Sequence, residues 1–208
     1  MTISQKYLSM TEMKSTAKVS SLPEAIFIVG LAASGKSTLA RNLLHFFRNN
    51  NIHAILFDGD EMNEFQILGP QSGDYSIEAR EQKAIQLKKL VCWAQNQELI
   101  PIVAVIGQPL QARENWKNNI RNYVEIYLKS DINTCKNRDY KGTYDQAENV
   151  IGVNIPFNEP TSYDLQLSSD SHNANENLSL CIDFLKVKPW ISKQLNRNQT
   201  KCADSSLQ

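Results

Sequence analysis

"IFIVGLAASGKSTLARNLLHFF", residues Ile26 to Phe47, reads as a buried strand, a turn of small residues and an amphipathic helix. The turn, Gly30-Leu31-Ala32-Ala33-Ser34-Gly35-Lys36-Ser37, fits the G-x-x-x-x-G-K-[ST] pattern of a Walker A phosphate loop. A polyphosphate needs many donors at short range with no bulky side chain in the way. A turn of small residues lets successive backbone N–H groups face inward, and the helix that follows adds its positive N-terminal end. Lys36 is placed to bridge the β- and γ-phosphates, and the Ser37 hydroxyl to ligate Mg2+. Gly30, Ala33, Ser34, Gly35, Lys36, Ser37 and Thr38 are therefore the expected surroundings of ATP. The alternative is a glycine turn that merely joins strand to helix. Context speaks against it, because an apolar strand precedes the turn and the helix puts Leu39, Leu43, Phe46 and Phe47 on one buried side.

Outward from this unit, short apolar runs alternate with helical patterns. The expected strands are Ala25–Val29, Ala54–Phe57, Ile102–Ile106, Val124–Leu128 and Asp164–Leu167. The expected helices are Lys36–Arg48, Ile77–Gln95, Arg113–Asn119, Ile132–Arg138 and Glu176–Leu185. Strand and helix in alternation imply right-handed crossovers and a parallel sheet of about five strands covered on both faces. Ligands of such α/β sheets bind beyond the carboxyl ends of the strands, where the motifs discussed here fall.

The chain has 208 residues, of which 41% are hydrophobic, enough for one full core. Residues 1–24, polar and ending near Pro23, read as a flexible arm, 25–190 as the domain, and 191–208 as a flexible tail. Lys+Arg and Asp+Glu both total 22, so no global field draws the protein to nucleic acid or to an anionic membrane. No run is long and apolar enough for a membrane span or a signal peptide. Cys92, Cys135, Cys181 and Cys202 lack zinc-ligand spacing and read as free thiols, consistent with a cytoplasmic setting.

The second expected strand ends in "ILFDGDEM", with Asp58 and Asp60 flanking Gly59. Either carboxylate can orient Mg2+ through water or accept the proton of an attacking hydroxyl. An Asp-Gly turn that simply ends a strand is the plain alternative. The N-K-x-D stretch that reads guanine is absent, which argues against a Ras-like switch, and the length leaves no room for the modules of a motor or helicase.

Several ordered motifs together resemble the adenylyl-sulfate kinase family of P-loop kinases. The family's "G-L-x-x-S-G-K-S-T" stands at Gly30 to Thr38, and its "D-G-D" at Asp58-Gly59-Asp60. Its lid signature "R-D-x-K-G-x-Y" is matched by Arg138, Asp139, Lys141, Gly142 and Tyr144, and its later "T-G-I-D-x-P-Y-E" region by "IGVNIPFNEPTSYDLQL". The resemblance spans about residues 24–187 and implies a three-layer P-loop NTPase sandwich with strand order 2-3-1-4-5. It implies ATP and Mg2+ as cofactors and transfer of the γ-phosphate to the 3′-hydroxyl of adenosine 5′-phosphosulfate, a step of sulfate assimilation. Lys36, Asp58, Asp60 and Arg138 become the expected catalytic residues, and Arg138 with Lys141 an ATP-covering lid. A homodimer is left open.

Departures from the family pattern collect on the acceptor side. Asn63 stands for an arginine, and "YSIEAREQKAIQ" keeps Ser76 and Arg80 but has Ala79, Lys83, Ile85 and Gln86 for Asp, Asn and two Arg. "IGQPLQ" keeps Pro109 but loses the family's Ser and Arg, and Asn154 stands for an Asp. An arginine that grips an anion in two-pronged fashion is not replaced by Asn or Gln without loss of charge and geometry. The expected acceptor surroundings are Asp60, Tyr75, Arg80, Lys83, Ile106, Pro109 and Phe157, with Tyr75 and Phe157 sandwiching a ring. Arg113 and Lys117 are further candidates. The acceptor is thus adenosine phosphosulfate held differently, or another hydroxyl compound: cytidine diphosphoramidate, a sugar or a phosphonate alcohol. A non-catalytic ATP-binding regulator is the alternative of another class.

Overall fold

The computed structural model describes residues 23–69, 74–145 and 148–196. Five strands form one parallel sheet: β1 (Ala25–Val29), β2 (Ala54–Asp58), β3 (Ile100–Val105), β4 (Tyr123–Lys129) and β5 (Leu165–Ser168). Their order is β2-β3-β1-β4-β5, as the resemblance implies. Central β1 is buried along its whole length, the expected condition of a strand covered on both faces.

Alternation along β1 splits the interior in two. Ile26 and Ile28 face helix α1 (Lys36–Asn49) through Leu39, Leu43 and Phe47, and helix α6 (Ala174–Lys186) through Cys181 and Leu185. Ala25, Phe27 and Val29 face α3 (Ile77–Asn96) and α4 (Leu110–Asn119), with Leu87, Val91 and Trp116 in contact. A smaller cluster of Leu31, Cys135 and Ile151, flanked by Ile106, Tyr144 and Phe157, joins the phosphate loop to α5 (Ile132–Arg138) and the 150–157 segment.

Local sequence explains the helix starts. Ser76 caps α3 by accepting from Ala79 N, and Asp131 caps α5 through Asn133 and Thr134 N. Asn173 and Glu176 form a reciprocal capping box on α6.

The structure departs from expectation in four places. Gly59–Glu64 is a short helix, α2, rather than the tail of a turn, because Asp58 accepts from Asp60 N at 3.0 Å and caps it. Helix α4 begins at Leu110, three residues early, directly after Pro109. Residues 189–196 are helical, and Trp190 and Ile191 are buried in the first core. The expected boundary at 190/191 therefore falls inside an element, and Glu24, expected in the arm, is buried with its carboxylate accepting from Trp190 N. The rest of the expected arm (1–22) and tail (197–208) lies outside the described residues. No helix among the described residues is long and apolar enough to cross a membrane.

Candidate active site

The loop between β1 and α1 is shaped by steric constraint. A Cβ on Gly30 would stand 2.5 Å from the Leu128 carbonyl oxygen, so only glycine lets the loop leave β1 against β4. Gly35 takes φ 96° at the helix start, open to glycine at little cost. Ala33 holds φ 55°, a left-handed conformation that costs a residue with a Cβ about 1 kcal/mol or more. Strain of this kind persists where surrounding structure over-determines the backbone.

Lys36 is buried and its ammonium donates to the Leu31 carbonyl across the loop. Burial pulls its pKa down to about 8, opposed by nearby acidic groups, chiefly Asp60, with Asp58 contributing. The Ser34 hydroxyl is fully buried with no hydrogen-bond partner. A buried hydroxyl without a partner is costly unless a ligand completes it, and this one lies in the loop that the sequence pattern assigns to phosphate. Ser37 is half-buried, and Gly35 and Thr38 are exposed.

The tip of β2 supplies a carboxylate cluster. Asp58 is 2% exposed; Oδ1 caps α2 and Oδ2 has no hydrogen-bond partner, although Arg41 Nη2 lies 3.6 Å away. Arg41 also donates to Glu61 Oε1 at 2.7 Å. Asp60 is exposed and accepts from Lys141 Nζ at 2.6 Å, which holds the Lys141 pKa above its ordinary value. Lys141, expected over ATP, is therefore paired with an expected catalytic carboxylate.

Arg138 is not brought to this cluster. It is exposed, and its guanidinium donates to Ser169 Oγ and to the Ser169 carbonyl, both at 3.1 Å. The lid signature instead touches the loop through Tyr144, whose hydroxyl donates to the Ala32 carbonyl at 3.0 Å while Asp139 Oδ2 accepts from Tyr144 N at 2.7 Å.

The expected acceptor residues fall into two groups. Tyr75 lies beneath two cations, with Arg80 Cζ 5.5 Å and Lys83 Nζ 5.1 Å from the ring centroid. Arg80 donates to the Tyr75 and Asn149 carbonyls and Lys83 to the Asp74 carbonyl. Burial lowers both pKa values, and for Lys83 the neighbouring Arg80 adds to this. Ile106 and Phe157 form the second group, in the small cluster beside Leu31. Phe157 also packs toward Tyr127, ring centroids 6.4 Å apart. Pro109, buried, opens α4.

Three neighbours of the site were not singled out from the sequence. Gln108 and Asn158 exchange hydrogen bonds, at 3.0 Å to the Asn158 carbonyl and 3.3 Å from its amide, and Arg113 Nη1 reaches the same carbonyl at 3.2 Å. Gln108 was visible only as a departure from the family pattern. Arg41 lies four residues after Ser37, hence on the same helix face, a spacing that would have drawn it in. Lys117 bonds to Ser162 rather than to any group of the cluster. Asn154, in place of an Asp, still accepts from Val150 N at 2.9 Å, so the amide oxygen serves this turn without a charge.

A parallel sheet of this order, with a glycine-framed loop and a buried lysine beyond its central strand, defines a protein of the P-loop NTPase fold. Residues 22–168 match the family model described as adenylylsulphate kinase. The chain belongs to the adenylylsulphate kinase family, and it is a kinase that acts on a hydroxyl group. It is 31% identical over 170 residues to the cytidine diphosphoramidate kinase of Campylobacter jejuni, covering 79% of this chain and 98% of that one. It is 25% identical over 172 residues to the adenylyl-sulfate kinase of Halothermothrix orenii, covering 80% and 91%. The structure of the Mycobacterium tuberculosis APS kinase in complex with AMPPNP and APS superposes with a TM-score of 0.71 at 22% identity, over 80% of this chain and 99% of that one. This last likeness is one of fold.

Proposed function

We propose that the protein transfers the γ-phosphate of ATP to a hydroxyl of an activated nucleotide, with cytidine diphosphoramidate favoured over adenosine 5′-phosphosulfate. The observation that carries the phosphate half is the cradle itself. The partnerless Ser34 hydroxyl, the buried Lys36 ammonium and the glycine-framed loop fit a triphosphate, and the Asp58 and Asp60 carboxylates sit close enough to raise the proton affinity of Lys36. Identity of 31% over almost the whole of a cytidine diphosphoramidate kinase favours that acceptor class, and the missing anion-gripping arginines weigh against adenosine 5′-phosphosulfate held in the family's way.

In this reading Lys36 and the loop amides hold the β- and γ-phosphates, with Gly30, Ala33, Ser34, Gly35 and Thr38 around them. Ser37 holds Mg2+, which supplies charge neutralisation when bound with ATP. Asp58, already buried and capped onto α2, takes the proton of the acceptor hydroxyl, supported by Asp60. Lys141, released from Asp60, and Arg138, released from Ser169, close toward the phosphates and exclude water. Tyr75, Arg80, Lys83, Ile106, Pro109 and Phe157 receive the acceptor. ATP as donor, together with free thiols at Cys92, Cys135 and Cys181, supports a cytoplasmic setting.

The test is ADP release from MgATP with each acceptor, in wild type and in Asp58→Asn. Acceptor-stimulated release is expected, fastest with cytidine diphosphoramidate. Asp58→Asn is expected to bind ATP normally and to transfer phosphate slower by a factor on the order of 100 or more. Tight ATP binding without stimulation by any nucleotide acceptor would overturn the proposed acceptor class.

A further inference from the structure

We propose that Arg41 is a positioning residue that braces the Asp58 carboxylate from the phosphate-loop helix. The inference rests on the reading of Asp58 given above. Asp58 Oδ1 is committed to the Asp60 backbone, so only Oδ2 is free to meet a substrate hydroxyl or a metal-bound water. That oxygen is buried without a hydrogen bond, and the one cation within ion-pair distance of it among the described residues is Arg41, at 3.6 Å.

The distance has a chemical meaning. It is too long for a hydrogen bond yet still within ion-pair range, so Arg41 compensates the charge of Oδ2 without occupying its lone pairs. Glu61 sets this geometry by accepting from the same Nη2 at 2.7 Å, which keeps the guanidinium from closing fully on Asp58. Glu61 sits on α2, the helix that Asp58 itself caps, so both anions that share Arg41 belong to one short rigid unit. Arg41 belongs to another, the helix that starts at Lys36. The three side chains therefore tie the phosphate cradle to the tip of β2 and fix the carboxylate relative to the phosphates, which is the quantity on which phosphoryl transfer depends. Arg41 is half exposed, so its removal leaves no hole in the core.

The test is a double-mutant cycle of Arg41→Met and Asp58→Asn, with Arg41→Lys as the conservative variant, reading kcat, KM for ATP and the unfolding midpoint. Arg41→Met is expected to lower kcat about tenfold while KM for ATP and the midpoint stay within about twofold and about 2 °C of wild type. Arg41→Lys is expected to regain most of the loss, since it restores the charge. In the Asp58→Asn background Arg41→Met is expected to cost nothing further, because it acts only through that carboxylate. Full activity of Arg41→Met beside a slow Asp58→Asn, or losses that multiply in the double variant, would overturn the inference and leave the role of Asp58 intact. A fast Asp58→Asn enzyme would overturn the reading of Asp58 and this inference with it.

Discussion

Lys36 carries a prediction that can be worked to a number. Burial brings its pKa from 10.5 to about 8. Because the folded protein releases this proton before the unfolded chain does, keeping Lys36 charged costs about 3 kcal/mol of stability below pH 8, and the cost fades as pH rises from 8 toward 10.5. A bound triphosphate reverses the balance by setting negative charge against the ammonium. ATP binding above pH 8 should therefore take up a proton. At about pH 8.5 roughly three quarters of the free sites hold neutral Lys36, so about 0.75 proton should enter per ATP, against roughly a tenth at pH 7. Affinity should weaken about thirtyfold between about pH 7 and 9.5. Titration calorimetry at about pH 8.5, in two buffers of different protonation enthalpy, reads the uptake directly, since the phosphates themselves are fully ionised there. Lys36→Met at saturating ATP is the control and should show no uptake. Zero uptake by wild type, with undiminished affinity at about pH 9.5, would show that Lys36 is already stably charged or does not meet the phosphates.

Gly30→Ala places a Cβ 2.5 Å from the Leu128 carbonyl, and denaturant unfolding should report a loss of about 1–3 kcal/mol together with weakened ATP binding. An unchanged midpoint would mean that the loop and β4 can separate freely. Lys141→Ala removes an exposed pair with Asp60, so stability should move by less than about 1 kcal/mol, while kcat should fall about tenfold if Lys141 closes on the phosphates. Gln108→Ala breaks the reciprocal bonds to Asn158, and KM for the nucleotide acceptor should rise severalfold with KM for ATP unchanged, measured by initial rates with each substrate varied.

Much of the fold was legible because its signals are local. β1 and α5 are where the periodicity places them, and each other strand is within two residues, since a strand buried on both faces leaves an apolar run that water-facing segments do not imitate. The strand order came from resemblance, not from periodicity. Helix α2 was hidden because Asp-Gly-Asp is also a turn signal; the first-turn acids Asp60 and Glu61 and the buried Met62 were the overlooked cues. The last helix was hidden by a polar composition, although Pro189 at its start and the apolar pair Trp190-Ile191 marked it. In the candidate site, the conformation of the phosphate loop was legible because it is made of backbone. The site was less legible where partners lie far apart in sequence: Lys141 with Asp60, Arg138 with Ser169, Gln108 with Asn158 and Arg41 with Asp58 each depend on packing between segments.

This difference bears on how the two halves of the site can change. The donor half rests on amides and on a few residues whose alternatives are sterically closed, Gly30 above all, so drift there would disturb the central strand and the first helix together. The proposed acceptor half rests on side chains at the ends of β2 and β3, at the start of α3 and in the 150–158 segment, none of which is required to close the sheet. Arg80 and Lys83 bond to backbone carbonyls and stack on Tyr75, and no carboxylate lies within ion-pair distance of either among the described residues, so their charge is available to an anionic acceptor without the lost arginines being restored one for one. Gln108 and Asn158 likewise satisfy each other, so the loop after β3 and the loop bearing Phe157 stay in register without the family's serine and arginine. On the proposed reading, a change of acceptor in this fold is a rewiring of self-satisfied side-chain pairs around a fixed phosphate cradle, with charge, not shape, the property most directly rewritten.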